Sequence, residues 1–154
     1  MKKWIAFAVI VVLLGGLYLV DFIRAKDYEF ELISSSTDVF VADGGSPVRL
    51  KFRLVRGGEP VEGHTITIVA SNGTLPASRV VTDEDGEIEF RYYTYLYLDD
   101  RLTPLEDVVF RLEDESNSLI FMVPAAAEFS FPVEKPEGDT VWEDWEDIVL
   151  EDTI

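Results

Sequence analysis

The stretch VADGGSPVRLKFRLVRGGEPVEGHTITIVASNGTLPASRVVTDEDGEIEFRYY, Val41 to Tyr93, decides the fold. Val48, Leu50, Phe52 and Leu54 alternate with Arg49, Lys51, Arg53 and Val55, so a strand of period two buries the first set and wets the second. Arg56-Gly57-Gly58-Glu59-Pro60 turns the chain into a second run, in which Ile66, Ile68 and Ala70 alternate with Thr65, Thr67 and Val69 until Asn72-Gly73 stops it. Thr82 to Gly86 makes a further turn into Ile88, Phe90 and Tyr92, which alternate with Glu87, Glu89 and Arg91. Three such strands predict an antiparallel sandwich or barrel.

Four motifs in this stretch resemble the invasin/intimin-type bacterial immunoglobulin-like domain. They are Val41-Ala42-Asp43-Gly44, Gly58-Glu59-Pro60-Val61-Glu62-Gly63, Ser71-Asn72-Gly73-Thr74-Leu75 and Thr82-Asp83-Glu84-Asp85-Gly86-Glu87-Ile88, and their order and spacing carry the likeness. The resemblance implies an all-β, immunoglobulin-like antiparallel sandwich, a module usually found as one of several in a surface adhesin or fibre. This chain has one copy, an N-terminal helix in front of it and an acidic tail behind it.

A chain of 154 residues with a formal charge of -17 has room for one ordinary domain with an appendage or two. Residues 27–154 hold 29 acids against 9 Lys and Arg, a balance that repels nucleic acid and anionic lipid. Without cysteine there is no disulfide framework and no thiolate site, so an apolar core alone must hold the domain. Trp4 to Val20 carries no charge, and with Asp21-Phe22-Ile23 it is long enough to cross a bilayer. Leu17-Tyr18-Leu19-Val20-Asp21 offers no small-x-small cleavage motif, so the segment reads as an uncleaved anchor rather than a removed leader. Lys2 and Lys3 ahead of the span place the N-terminus in the cytoplasm and the domain outside, in the plasma membrane. The expected division is an anchor over 1–25, a sandwich over 27–133 and a tail over 134–154.

Tyr28, Phe30 and Leu32 alternate with Glu29 and Glu31, so the first strand begins almost at the membrane. Arg49, Lys51 and Arg53, continued by Arg56, form a basic stripe on one strand, read either as a docking patch or as partners for outward carboxylates such as Glu87 and Glu89. EIEFRYYTYLYL, Glu87 to Leu98, extends the strand pattern so that Ile88, Phe90, Tyr92, Thr94, Leu96 and Leu98 line one face and Tyr93, Tyr95 and Tyr97 the other. Those three tyrosines are either a partner-binding ladder or a surface covered from within the chain. Val108, Phe110 and Leu112 predict a further strand, returned by Leu119 to Val123, with Phe129, Phe131 and Val133 as a last edge. His64, the single histidine, reads as a surface or capped residue. Asp83-Glu84-Asp85-Gly86 is a turn rather than a calcium loop, lacking the downstream ligands of an EF-hand. Asn72-Gly73-Thr74 is a turn that also fits the glycosylation pattern.

In the tail, Thr140 and Glu143 fit a capping box, and Trp142, Trp145 and Val149 fall on one face of a short helix, a candidate docking element. No Ser-His-Asp or Cys-His set, metal cluster or phosphate loop can be assembled, so the chain reads as a non-enzyme without cofactor or small-molecule substrate. The expectation is a single-pass, membrane-anchored, extracytoplasmic immunoglobulin-like binding or assembly module of a surface or envelope complex, meeting a protein partner or its own copies. The alternative is a structural subunit of a filament or virion assembling through edge strands or the tail. A carbohydrate-binding module is the third option, weakened because the domain has no Trp platform.

Overall fold

In the computed structural model, which describes residues 2–98, 104–118 and 123–137, the apolar N-terminal segment forms helix α1, Lys2–Ala25. Apolar side chains all around it are exposed, Trp4, Ile10, Leu13 and Leu19 among them. Its 24 residues reach about 36 Å at 1.5 Å each, so α1 is long and apolar enough to cross a membrane. Only Lys26 and Asp27 separate it from the first strand.

Among the described residues ten strands follow: β1 Tyr28–Ser35, β2 Phe40–Val41, β3 Pro47–Arg56, β4 Glu59–Pro60, β5 Thr65–Ala70, β6 Arg79–Val81, β7 Glu87–Tyr93, β8 Val108–Asp114, β9 Ala125–Phe131 and β10 Val133–Glu134. One antiparallel sheet is built from β1, β3 and β7, with β4 added at the end of β3. The other runs β6-β5-β8-β9, also antiparallel. Consecutive strands therefore change sheets, β3 to β5 and β5 to β7, as strands B, C and E do in an immunoglobulin sandwich, while β1 stands for A and β8 and β9 for F and G. β2 leaves the first sheet and pairs in parallel with β10. The chain is an all-β, immunoglobulin-like sandwich behind one apolar helix.

The alternation read from Val48 to Leu54 faces inward as expected, and all four residues are buried, along with Ile66, Ile68, Ile88, Phe90 and Tyr92. With no cysteine in the chain and, among the described residues, no tryptophan between the sheets, rings fill the centre. Phe110 of β8 lies 4.9 Å from Tyr92, 5.8 Å from Phe90 and 5.7 Å from Phe131, edge-on or tilted to each. Phe40 stacks on Phe131 at 4.9 Å, which draws β2 to the second sheet and closes that side of the core.

Two strand expectations are corrected. β7 stops at Tyr93 instead of running to Leu98, because its partner β3 begins opposite it at Pro47, which has no N–H for the ladder. Beyond that point Thr94 remains buried and its hydroxyl donates to the Val41 carbonyl, whereas Leu96 and Leu98 are exposed. The strand returning against β8 is β9, Ala125–Phe131, and of the expected strand Leu119 to Val123 only Val123 is described, outside any strand. Buried Asn117 sets the start of β9: the side-chain amide donates to the Val123 carbonyl and its oxygen accepts the Ala125 N–H. Residues 119–122 lie outside the described residues. Phe129 and Phe131 thus belong to β9, and Val133 to the parallel pair with β2.

Candidate functional site

The basic stripe on β3 is the first surface to resolve, because strand register decides which charges meet across a sheet. β7 lies antiparallel to β3 with Arg53 opposite Glu87, Lys51 opposite Glu89 and Arg49 opposite Arg91. Glu87 accepts from both of its basic neighbours: the Arg53 guanidinium reaches it at 2.6 Å, and the Lys51 ammonium pairs with its other oxygen. The stripe's lower half is therefore consumed by cross-strand pairing. Arg56 turns to Asp27 at 3.7 Å and lies over the Tyr28 ring, which ties the β3–β4 turn to the helix junction. Among the described residues, Arg49 is the one cation of the stripe without an ion pair, and what faces it is another arginine.

The hydrogen bond from Lys51, and then that from Arg53, holds the Glu87 carboxyl below its ordinary 4.5, while the same bond raises the Lys51 ammonium above 10.5. A carboxyl with a depressed folded value stabilises the fold above its unfolded value and loses that contribution as pH falls through the folded one. Wild type and Glu87→Gln should therefore differ in urea midpoint at pH 7, and the gap should close as pH falls below 4.5. A gap that stays constant down to pH 3 would contradict the pairing.

The tyrosine run is largely occupied within the chain. Tyr92 is fully buried, its hydroxyl donates to Asn72 Oδ1 at 3.1 Å, and burial pushes that hydroxyl well above the ordinary tyrosine range. Tyr93 ends β7 half-buried, bridged through its backbone to Thr74. Tyr95 packs on the core edge, its hydroxyl held between the N–H and carbonyl of Glu106. Tyr97 also packs there, donates its N–H to the Ala42 carbonyl and carries the Lys135 ammonium 4.9 Å over its ring. Instead of a flat outward ladder, the run closes the end of the sandwich away from α1.

His64 packs on the Tyr28 ring at 5.6 Å, and its Nδ1 lies 2.8 Å from Oδ2 of fully buried Asp114. The other Asp114 oxygen accepts the Ser116 N–H. This pair pins the start of β5 to the end of β8. Sequence reading had no means of finding it, because the two residues stand 50 positions apart. Asp83 Oδ1 accepts the N–H groups of Asp85 and Glu87, so the Asp83–Gly86 letters form the expected turn. Among the described residues, no group of three His, Asp or Glu side chains is placed to hold a metal ion. Trp142, Trp145 and Val149 lie outside the described residues.

No family model and no curated protein sequence matches the chain. Among solved structures, it is similar to a C-terminal 282-residue fragment of intimin in complex with the intimin-binding domain of the translocated intimin receptor, with 20% identity, 68% of this chain and 32% of that chain covered, and a TM-score of 0.46. It is similar also to the D0-D1 domain of intimin, at 18% identity over 67% of this chain and 48% of that one, TM-score 0.43. A conjugate transposon protein from Bacteroides vulgatus matches at 12% identity over 68% of this chain and 83% of that one, TM-score 0.42. The chain spans less than half the length of the intimin structures it matches. These intimin domains are of the type that the four sequence motifs resemble.

Proposed function

We propose that this is a single-pass membrane protein whose sandwich, displayed outside the cytoplasm, is a protein-binding or assembly module of a cell-surface or envelope complex. In this reading residues 1–25 are the anchor, 27–133 the sandwich and 134–154 an acidic appendage. The observation that carries it is the junction between α1 and β1. Lys26 and Asp27 donate their N–H groups back to the last helical turn, and the Asp27 carbonyl accepts the Gly57 N–H of the β3–β4 turn. A linker of two residues, stitched at both ends, leaves the sandwich no stalk and seats that end at the bilayer. β1 and β9 both run away from the junction, so the Asp43–Ser46 loop, the Asn72-Gly73 turn and the exit of the chain after Glu134 all gather at the opposite end, where a partner on another surface can reach them. Lys2 and Lys3 ahead of the span favour a cytoplasmic N-terminus.

The intact mass of the mature protein should include Trp4 to Ile23; a chain beginning near Ala25 would contradict the anchor. After detergent solubilisation and crosslinking, the protein should run as a monomer or small oligomer together with a copurifying protein. Long polymers formed by the purified chain alone would overturn the module reading in favour of a filament subunit.

A further inference from the structure

The sandwich is rich in carboxylates, and its other described arginines and lysines are engaged: Lys51 and Arg53 with Glu87, Arg56 with Asp27, Arg79 with Glu115, Arg111 with Glu113 and Glu128, and Lys135 over Tyr97. Arg49 and Arg91 are the exception. They are directly opposed across β3 and β7, both are exposed, and among the described residues no carboxylate forms an ion pair with either. Glu89, beside them on the same face, stands opposite Lys51. Like charges in register destabilise a sheet, so the pair is suited to an anion that bridges both guanidinium groups. Ser34, Ser35 and Ser36 line a groove together with Arg49, Lys51 and Glu89.

We propose that Arg49 and Arg91 seat this chain's own acidic C-terminal segment, Trp142 to Asp147. The segment reads WEDWED, and residues 138–154 hold seven carboxylates and no cation. A guanidinium donates a two-pronged hydrogen bond to a carboxylate and also stacks on an indole face, so an arginine pair suits a segment that interleaves the two better than lysines would. Reach follows from the strand pairings. Val133 pairs with Phe40, four residues separate Phe40 from the end of β1, and Ser36 donates its N–H to the Arg49 carbonyl. Two ladder spacings and four extended residues put Val133 at most about 24 Å from Arg49, while the nine residues from Val133 to Trp142 extend to roughly 31 Å. The seat lies near the end of the sandwich at which the chain leaves it, and the contact does not depend on which side of a membrane the domain faces.

Glu-specific proteolysis of the full chain in detergent tests this, with intact mass reporting cleavage after Glu143, Glu146 and Glu151. At low salt the tail of the wild type should be cut roughly tenfold more slowly than that of Arg49→Glu/Arg91→Glu, the worth of about one charge-assisted hydrogen bond. The variant keeps two like charges in register, so sheet repulsion is matched. High salt should bring the wild type to the rate of the variant. Adding Asp144→Lys and Asp147→Lys, which leaves the cleavage sites intact, should restore slow cutting. Arg49→Gln/Arg91→Gln, which relieves the repulsion and preserves the fold, should cut as fast as the charge reversal. Equal rates in wild type and in both arginine variants would overturn the proposal, as would protection that disappears on dilution, which would assign the seat to the tail of a second copy.

Discussion

Truncating Phe110 to alanine should destabilise the sandwich by about 3–5 kcal/mol, read as a lower urea midpoint at unchanged slope. Phe110 is completely buried at the one place where rings from both sheets and from β2 converge: Phe40, Phe90, Tyr92 and Phe131 all lie within 6.2 Å of its centroid. Four rigid neighbours fixed by three different strands, β2, β7 and β9, cannot collapse together into the space, so the cavity persists. The edge-to-face contacts with Tyr92 and Phe131 are lost with it. Arg53→Ala, on the outer face, should change the midpoint little, since Lys51 still pairs with Glu87. Equal effects would mean that the strand faces are inverted.

Gly73→Ala is the second large effect, and it arises from backbone rather than core. Gly73 has φ of 73°, which costs an L-residue roughly 1–2 kcal/mol. An added Cβ would also meet the Tyr92 hydroxyl, the Tyr93 carbonyl oxygen at 2.5 Å and Tyr92 Cε2 at 2.6 Å. Neither neighbour is free to yield, because Tyr93 and Thr74 exchange backbone hydrogen bonds at 2.9 and 3.0 Å and the Tyr92 hydroxyl is held by Asn72. Strain and overlap together should cost about 3 kcal/mol or more. At Gly45, where no atom lies within 4 Å of an added Cβ, alanine should be neutral within about 0.5 kcal/mol. Similar midpoints for the two variants would show that the Asn72-Gly73 turn does not pack on Tyr92 as described.

How far the sequence could be read follows from how local each feature is. The inward faces of β3, β5 and β7 were legible because each alternates over several residues between turn signals. So was the nearness of β1 to the helix, which needs only a count of residues. The end of β7 was not legible, since the pattern in EIEFRYYTYLYL runs on unbroken; what stops the strand is Pro47, forty-six residues earlier and on another strand. The position of β9 was hidden for a similar reason, as Asn117 fixes it through side-chain hydrogen bonds that no periodicity records. The candidate docking patch shows the same limit more sharply. Arg49, Lys51 and Arg53 look equivalent on their own strand, and only the β3–β7 register separates the two neutralised by Glu87 from the one that faces Arg91. Because β5 lies in the other sheet, no hairpin turn sets that register. Arg91 was therefore missed, although it stands within a strand whose faces were assigned correctly.

Whether the sandwich stands membrane-anchored outside the cytoplasm can be tested directly, because the chain has no cysteine. Single substitutions Ser46→Cys, in the exposed loop at the end away from the helix, and Lys3→Cys, ahead of the span, each give one labelling site. In intact cells a membrane-impermeant maleimide should label Ser46→Cys fully and leave Lys3→Cys unlabelled until the membrane is opened. Labelling of Lys3→Cys alone, or of both sites without permeabilisation, would contradict a sandwich anchored outside the cytoplasm.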